Sequence, residues 1–225
     1  MRKPSRAGSS PLRGLWIAVY GPDGVGKSTV IEAVKRQVKT AFSAVTQFHF
    51  RPMFGSMRVH HPPVTAPHSR PPRGCLFSSA KLVYWLLDCW CGYLLVIHPG
   101  VRHSELAIFD RFYSDILVDP RRYRLPASVQ PLARWLTRLA PRPDLCILLD
   151  APVEVIQHRK AEVPSTESQR QRLAYLAMFR SLPNNLIVNV DRPVSEAAQQ
   201  ISAALLAHHP SPELEKGKGL LIANS

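Results

Sequence analysis

Five short apolar segments recur along the chain, separated by longer stretches of mixed polarity. They are LWIAVY (15–20), SAVTQFHF (43–50), LAIFD (106–110), DLCILLD (144–150) and NLIVNV (185–190). Continuous Leu, Ile and Val are typical of strands that are buried on both faces of a parallel sheet. After the first segment, Ile31, Val34 and Val38 follow at helical spacing. The alternation predicts an α/β fold, with a five-stranded parallel sheet and helices on both faces.

The residues that follow these segments are the first candidates for function. Parallel strands bring their carboxyl ends to one edge of the sheet, where ligands bind in open α/β folds. Gly21 follows the first segment and Arg51 the second, whereas Asp110 ends the third and Arg111 follows it.

A phosphate-binding motif follows the first predicted strand. The sequence GPDGVGKST (21–29) fits G-x-x-x-x-G-K-[ST], in which successive backbone N–H groups line a concavity that suits phosphate oxygens. We expect Lys27 to reach the β- and γ-phosphates and the Ser28 hydroxyl to bind Mg²⁺. The motif predicts a P-loop NTPase fold with ATP and Mg²⁺ as cofactors. The predicted nucleotide-binding residues of this loop are Gly21, Gly24, Gly26, Lys27, Ser28 and Thr29.

Asp110 is the second predicted metal ligand. It ends LAIFD, and four buried residues followed by Asp resemble a Walker B strand end, which places a carboxylate beside the metal directly or through water. A helix-capping Asp is the alternative interpretation.

The charge of the chain suits an anionic partner without identifying it. The 29 Lys and Arg against 16 Asp and Glu give a formal net charge of +13. PRRYRLPASVQPLARWLTRLAPRP (120–143) has six arginines and no acid. A solvated surface explains such runs as well as an anion does. A phosphorylated small molecule is the expected partner, and nucleic acid is disfavoured because no stacking-aromatic signature is present.

The cysteines and the apolar central segment favour a cytoplasmic protein without a membrane span. Cys89 and Cys91 lack C-x-x-C spacing, so reduced thiols are expected. LVYWLLDCWCGYLLVI (82–97) is shorter than the roughly 20 residues of a span and has Asp88 at its centre. We expect a helix packed against the sheet. The predicted division is a basic N-terminal segment (1–13), one domain (14–208) with a mobile Pro-rich loop (52–74) and a lid (159–172), and a flexible tail (209–225).

The motifs favour a kinase. The chain has neither the N-K-x-D motif of GTPases nor the LSGGQ signature of transporters. GPDGVGKST, FDRFYSD and DLCILLDAPVEVIQHRKAE occur in the order and at the separation of the three landmarks of thymidylate kinases, and the chain resembles that family over about residues 14 to 205. The resemblance implies transfer of the γ-phosphate of ATP to a phosphorylated acceptor, nominally a (deoxy)nucleoside monophosphate such as dTMP.

The resemblance also implies roles for individual residues. Asp23 matches the family's carboxylate that hydrogen-bonds the sugar hydroxyl of the acceptor. Arg111 matches the arginine that binds the acceptor phosphate, and Arg51 is similar to its second clamp. Arginine suits this task because its planar fork holds two phosphate oxygens at once. Asp191, in NVDRP, is placed near the adenine.

A catalytic cation is expected from the predicted lid, because the phosphate loop of this chain carries no arginine. A closing lid can deliver charge to the γ-phosphate and exclude water. Arg159 is assigned to the nucleotide, and the transition-state role is left open among Lys160, Arg170 and Arg172. A surface helix with i, i+4 ion pairs is the alternative.

The acceptor pocket is predicted to depart from the family pattern. Cys89 follows Asp88 where these kinases usually have a base-reading arginine, and YSDILVDPRRYR (113–124) replaces the usual polar residues. We therefore expect dTMP to be a poor substrate. The alternatives are a kinase of a sugar phosphate or glycan intermediate, and a basic ATP-binding module that regulates nucleic-acid binding. A homodimer is left open.

Overall fold

The five predicted strands form one parallel sheet. A computed structural model describes residues 13–53, 71–159 and 164–208. The sheet order is β2-β3-β1-β4-β5, and all four strand pairs are parallel. The strands are β1 (Leu15–Tyr20), β2 (Val45–His49), β3 (Leu106–Asp110), β4 (Leu145–Asp150) and β5 (Asn185–Asn189). The predicted fold class is confirmed, and each strand lies within two residues of its predicted ends.

Helices cover both faces of the sheet. The strand β1 shows why, because Ile17 and Val19 belong to one core cluster whereas Trp16 and Tyr20 belong to the other. Alternate residues of a strand point to opposite faces, and both faces here are apolar. The helices are α1 (Lys27–Val38), α2 (Cys75–Gly92), α3 (His98–Arg102), α4 (Asp115–Val118), α5 (Gln130–Leu139), α6 (Val153–Arg159), α7 (Ser165–Arg180) and α8 (Val194–Ala207).

The strand register brings the candidate residues to one edge. Val19 of β1 is paired with Asp110 of β3, and Asp110 is paired in turn with His49 of β2. The phosphate loop leaves β1 immediately beyond Val19 and Tyr20. The ends of three adjacent strands therefore lie side by side, as expected at the carboxyl edge of such a sheet.

The helix α2 packs one face against the sheet and exposes the other. Leu82, Trp85 and Cys89 belong to the core, whereas Leu87 is 58% exposed and Leu76 is 82% exposed. With a π-helical turn (Tyr93–Ile97), α2 and α3 form a continuous run from Cys75 to Arg102. By length and composition alone this run is apolar enough to cross a membrane, with a mean hydropathy of 1.5. The predicted core helix is present, with a wide apolar face that the sequence did not predict to be exposed.

Several predicted segments lie largely or wholly outside the described residues. These are the N-terminal segment (1–13) except Arg13, the Pro-rich loop (52–74) between residues 54 and 70, and the tail (209–225). Residues 160–163 of the predicted lid, including Lys160, also lie outside them. Their predicted roles stay predictions.

Candidate active site

The phosphate loop joins the end of β1 to the start of α1 through a turn that requires glycine. Gly26 has φ of 100° and Gly24 has φ of 81°, a region that strains residues with a side chain. A Cβ atom at Gly21 would lie 2.7 Å from the carbonyl oxygen of Leu149 on β4. These glycines keep the loop close to the sheet, and the first backbone N–H groups of α1 are left for a phosphate.

Lys27 is buried inside this loop. Its Nζ atom donates hydrogen bonds to the carbonyl oxygens of Gly21 (2.8 Å) and Pro22 (2.9 Å). Burial, with the nearby Arg111 guanidinium, lowers the pKa of Lys27 to about 8, and the carboxylates of Asp110 and Asp23 oppose that shift. The ammonium group is therefore held at the centre of the loop, where it can reach phosphate oxygens.

Asp110 ends β3, and one of its carboxylate oxygens is available to a ligand. Its Oδ1 atom is buried and has no hydrogen-bond partner, whereas Oδ2 lies 3.5 Å from Nδ1 of His49. Burial acts to raise the pKa of Asp110, but His49, Lys27 and Arg111 together lower it, which favours the ionised carboxylate.

This carboxylate fits a magnesium ion. A buried polar atom without a partner is costly unless a ligand satisfies it. Among the described residues, no group of three or more His, Cys, Asp or Glu is arranged to hold a metal. This donor set suits Mg²⁺ at a nucleotide, because that ion is usually held by one or two carboxylates, waters and the substrate phosphates. Ser28 is exposed at the start of α1 and supplies the predicted hydroxyl.

Asp23 is bound by two arginines from other parts of the chain. Its Oδ1 atom accepts a hydrogen bond of 2.5 Å from Nη2 of Arg111, and its Oδ2 atom accepts one from Nη2 of Arg122. Burial acts to raise the pKa of Asp23, but these two guanidinium groups lower it overall. The structure thus brings Asp23 and Arg111 together, and it adds Arg122, which the sequence did not single out.

Arg111 is fixed from its other side by a fully buried acid. Its Nη1 atom donates to both oxygens of Asp115, at 3.2 and 3.1 Å, and to the hydroxyl of Tyr175 at 2.7 Å. Tyr123 and Tyr175 each donate their hydroxyl to Asp115 as well. Asp115 foremost, with Tyr175 and Asp23, raises the pKa of Arg111 against the effect of burial. This network holds the guanidinium charged and oriented in a site from which water is largely excluded.

Arg122 is held by a second acid. Its backbone N–H and its Nε atom donate to Asp119 at 3.1 and 3.3 Å, and Gln171 of α7 donates to the same carboxylate at 3.2 Å. The loop after α4 therefore reaches the phosphate loop through one positioned arginine. The spacing of DPRRYR gave no sign of which of its three arginines would do so.

Arg51 lies against two aromatic side chains of α2, and its predicted role as a second phosphate clamp stays a prediction. Its Cζ atom is 5.8 Å from the ring centre of Tyr84 and 5.9 Å from that of Trp85, both on α2. Cys89, which sequence comparison placed at the base-reading position, is 1% exposed and lies in the core. A buried thiol at this position cannot supply the hydrogen bonds of a base-reading arginine, and the expectation that dTMP is a poor acceptor stays a prediction.

The described lid cations have protein partners. Arg159 donates to the carbonyl oxygens of Val25 (3.4 Å) and Val190 (2.7 Å), which places it between the phosphate loop and the end of β5. Arg172 forms two hydrogen bonds with Asp150, at 2.6 and 2.8 Å. The guanidinium of Arg170 likewise binds both oxygens of Glu167, within the same helix α7.

The remaining predicted nucleotide contacts are exposed. Thr29 follows Ser28 in the first turn of α1, and Asp191 follows β5, where its N–H donates to Asn189 at 2.9 Å.

Comparison with known proteins agrees with this geometry, although no family model matches the chain. The chain is 28% identical to a thymidylate kinase of Methylococcus capsulatus over 213 residues, covering 87% of this chain and 98% of that protein. It is 26% identical to a thymidylate kinase of Leifsonia xyli over 204 residues, covering 85% and 94%.

Solved structures show the same fold. The thymidylate kinase of Candida albicans superposes with a TM-score of 0.60 at 18% identity, covering 87% of this chain and 92% of that one. The thymidylate kinase of Ehrlichia chaffeensis gives a TM-score of 0.53 at 13% identity, covering 85% and 98%. The fold and the phosphate loop define a P-loop kinase, a phosphotransferase. Over most of its length the chain is similar to thymidylate kinases.

Proposed function

We propose that the protein transfers the γ-phosphate of ATP to the phosphate of a nucleoside monophosphate, with dTMP as the nominal acceptor. The observation that carries this proposal is the ion pair between Asp23 of the phosphate loop and Arg111 at the end of β3. It joins the loop that holds the donor phosphates to a charged arginine suited to an acceptor phosphate. The relatives named thymidylate kinase favour this function over a sugar-phosphate kinase or a nucleic-acid-binding module.

The chemistry requires positioning and charge compensation more than proton transfer. The acceptor phosphate has a second pKa of about 6, so its attacking oxygen is already deprotonated at neutral pH and no general base is needed. Lys27 and the loop N–H groups compensate charge on the donor phosphates, and Arg111 holds the acceptor in line. Ser28 and Asp110 would hold Mg²⁺, which would supply positive charge to the donor phosphates.

We assign the predicted lid cations by what they contact. Arg159 would bind the nucleotide, because it already bridges the loop at Val25 and the end of β5. Arg170 or Arg172 would have to exchange a carboxylate partner for the γ-phosphate. Lys160 lies outside the described residues and keeps its predicted role as a prediction.

The test is a screen of ATP consumption and product formation. The purified chain is incubated with ATP, Mg²⁺ and each nucleoside monophosphate or sugar phosphate in turn, and ADP and the phosphorylated acceptor are quantified together. Equal amounts of both products with a nucleoside monophosphate support the proposal, and the Lys27→Ala variant measures contaminating activity. Transfer only to sugar phosphates, or tight salt-sensitive DNA binding without transfer, would contradict it.

We also propose that a second copy of this chain covers the exposed face of α2. Leu76, Val83 and Leu87 recur on that face at helical spacing, and Leu94 follows in the π-helical turn. All four side chains are more than two-fifths exposed. The opposite face is held in the core, so α2 cannot leave to cross a bilayer. An isologous dimer would place this uncharged stripe against itself and keep the basic surfaces apart. Light scattering should give the mass of a dimer for the wild-type protein and the mass of a monomer for the Leu87→Glu variant.

We place the enzyme in the cytoplasm. Its four cysteines are free thiols, and two of them, Cys89 and Cys146, are buried. Structural disulfides are rare in that compartment. Localisation of a fluorescent fusion to the cytoplasm would support this assignment.

A further inference from the structure

Gln171 is a buried polar residue of the helix α7 that contacts two separate parts of the candidate active site. The residue is 2% exposed. Its carbonyl oxygen Oε1 accepts a hydrogen bond of 3.3 Å from the backbone N–H of Asp23. Its Nε2 atom donates a hydrogen bond of 3.2 Å to Oδ2 of Asp119. Gln171 therefore joins the phosphate loop to the loop that follows α4.

The two partners fix the orientation of this side-chain amide. A backbone N–H can only donate a hydrogen bond, and a carboxylate that is paired with arginine can only accept one. The amide oxygen must therefore face Asp23, and the amide nitrogen must face Asp119. Neither an apolar side chain nor a carboxylate at this position can make both bonds, so the two contacts require an amide.

Both partners of Gln171 are also bound to Arg122. Asp119 accepts hydrogen bonds from the backbone N–H and from the Nε atom of Arg122. The Nη2 atom of Arg122 donates to the carboxylate of Asp23, which is also paired with Arg111. The contacts close into a ring, in which Gln171 spans the gap between Asp119 and Asp23. This ring fixes the position of Arg122 from two sides.

The helix α7 contacts the acceptor side of the site at further points. Arg170 donates a hydrogen bond of 2.9 Å to the carbonyl oxygen of Val118, and the hydroxyl of Tyr175 donates to Asp115. These contacts lie at the two ends of α4, and Gln171 extends them to the phosphate loop. A buried amide is costly unless both of its polar atoms are hydrogen-bonded, so an apolar side chain would suit packing alone better.

We propose that Gln171 is a positioning residue for phosphoryl transfer. It holds Asp23 and Arg122 in place, and through them it sets the position of the acceptor relative to the phosphate loop. The inference rests on the proposed function, which assigns Arg111 to the acceptor phosphate. The effect of Gln171 should fall on kcat and on the acceptor KM. The ATP KM should change little, because Lys27 is held by carbonyl oxygens of the phosphate loop itself.

The test replaces the amide with groups of similar size. Gln171→Met removes both hydrogen bonds. Gln171→Glu keeps an oxygen for the N–H of Asp23 and places a second carboxylate against Asp119. The matched controls are Gln169→Met and Gln169→Glu, because Gln169 is an exposed glutamine of the same helix. Circular dichroism and thermal unfolding show whether each variant is folded.

Steady-state kinetics are measured with ATP and the acceptor varied in turn. We expect Gln171→Met to lower kcat/KM for the acceptor by about ten-fold, while the ATP KM stays within about two-fold of wild type. Gln171→Glu should lose more, because two neighbouring carboxylates repel each other. Adding Asp119→Asn to Gln171→Glu removes that repulsion and should raise kcat/KM several-fold, whereas a general loss of packing would not be rescued in this way.

A second measurement does not depend on turnover. Exchange of the backbone amide hydrogen of Asp23 is followed by NMR in the isotope-labelled full chain. The hydrogen bond to Gln171 protects this amide, so exchange should be several-fold faster in Gln171→Met than in wild type. It should be slower in Gln171→Glu than in Gln171→Met, and the two Gln169 variants should match wild type.

Unchanged exchange at Asp23 in Gln171→Met would overturn the proposal, and so would equal increases in the two KM values. If Gln171→Met fails to fold, Gln171→Glu decides, and failure of Asp119→Asn to improve its kinetics would count against the proposal. Absence of transfer by the wild-type chain with every acceptor would instead contradict the proposed function. The exchange rates would still show in that case whether Gln171 holds the phosphate loop.

Discussion

Arg111 and Asp23 form an ion pair with 2.5 Å between Nη2 and Oδ1, although 88 residues separate them in the chain. Both side chains are about 5% exposed. The pair connects the phosphate loop to the end of β3, so the donor and acceptor halves of the site share one charged contact. Removing Arg111 would leave Asp23 with Arg122 alone and the fully buried Asp115 without its arginine, and breaking such a buried pair typically costs about 3–5 kcal/mol. Variants at this pair must therefore keep the charge.

Arg111→Lys is the variant that tests the acceptor role. Lysine keeps a positive charge beside Asp23 and Asp115 but loses the planar fork that binds two phosphate oxygens. We expect the acceptor KM to rise by about ten-fold or more and the ATP KM to change little. Steady-state kinetics with each substrate varied in turn will show this. Equal increases in both KM values would mean that Arg111 acts through the fold and not through the acceptor.

Lys27→Ala should abolish transfer. The ammonium group of Lys27 is buried within the loop, so no neighbouring cation can take its place at the β- and γ-phosphates. Losses of about 10²-fold or more in kcat are typical when such an electrostatic contact is removed. Turnover is measured at saturating ATP, with folding checked by circular dichroism. A variant that keeps near-normal kcat would refute the donor site.

Asp110→Asn should weaken the use of Mg²⁺. The amide keeps the size of the side chain but removes the charge of an oxygen that is buried without a partner. We expect lower kcat and a shift of half-maximal activity to higher Mg²⁺ concentration. The control is Glu32→Gln, which removes an exposed carboxylate from α1. An unchanged Mg²⁺ profile would show that the metal is held without Asp110.

Arg122→Gln should weaken acceptor binding while Arg121→Gln does not. Arg122 binds Asp23 and Asp119, whereas its neighbour Arg121 is exposed. Removing the first guanidinium leaves Asp23 with one arginine and frees the loop after α4. We expect the acceptor KM to rise by about five-fold, equivalent to about 1 kcal/mol, because Asp23 is then positioned by Arg111 alone. Identical kinetics for the two variants would show that Arg122 is only part of the surface.

The sheet and the phosphate loop were predictable because their signals are local. Continuous apolar runs mark buried strands, and the loop motif sets the glycine, lysine and serine positions within nine residues. The end of β3 at Asp110 follows from the same pattern, since a carboxylate directly after four buried residues stands out.

The acceptor side was less predictable because its contacts join distant parts of the chain. Asp115 is bound by Tyr175, 60 residues away, and Asp23 by Arg122, 99 residues away. No spacing rule connects such positions. The direction in which Cys89 faces was also hidden from the sequence, because a helical residue faces the core or a ligand according to the rotation of the whole helix.

The stability of the protein at alkaline pH should depend on the ionisation of Lys81. Its folded pKa of about 8 is below the ordinary value of 10.5, so between these values the unfolded chain binds more protons at this group than the folded chain. The contribution of Lys81 to the free energy of unfolding must then rise as the pH increases from about 8 to about 10.5. Lys81→Gln lacks this contribution, and Lys39→Gln, which removes an exposed ammonium after α1, controls for the change in net charge. Urea denaturation at pH 7, 8, 9 and 10 should show wild type gaining stability relative to Lys81→Gln. Parallel curves for wild type and Lys81→Gln would show that burial and the neighbouring arginines do not depress this pKa.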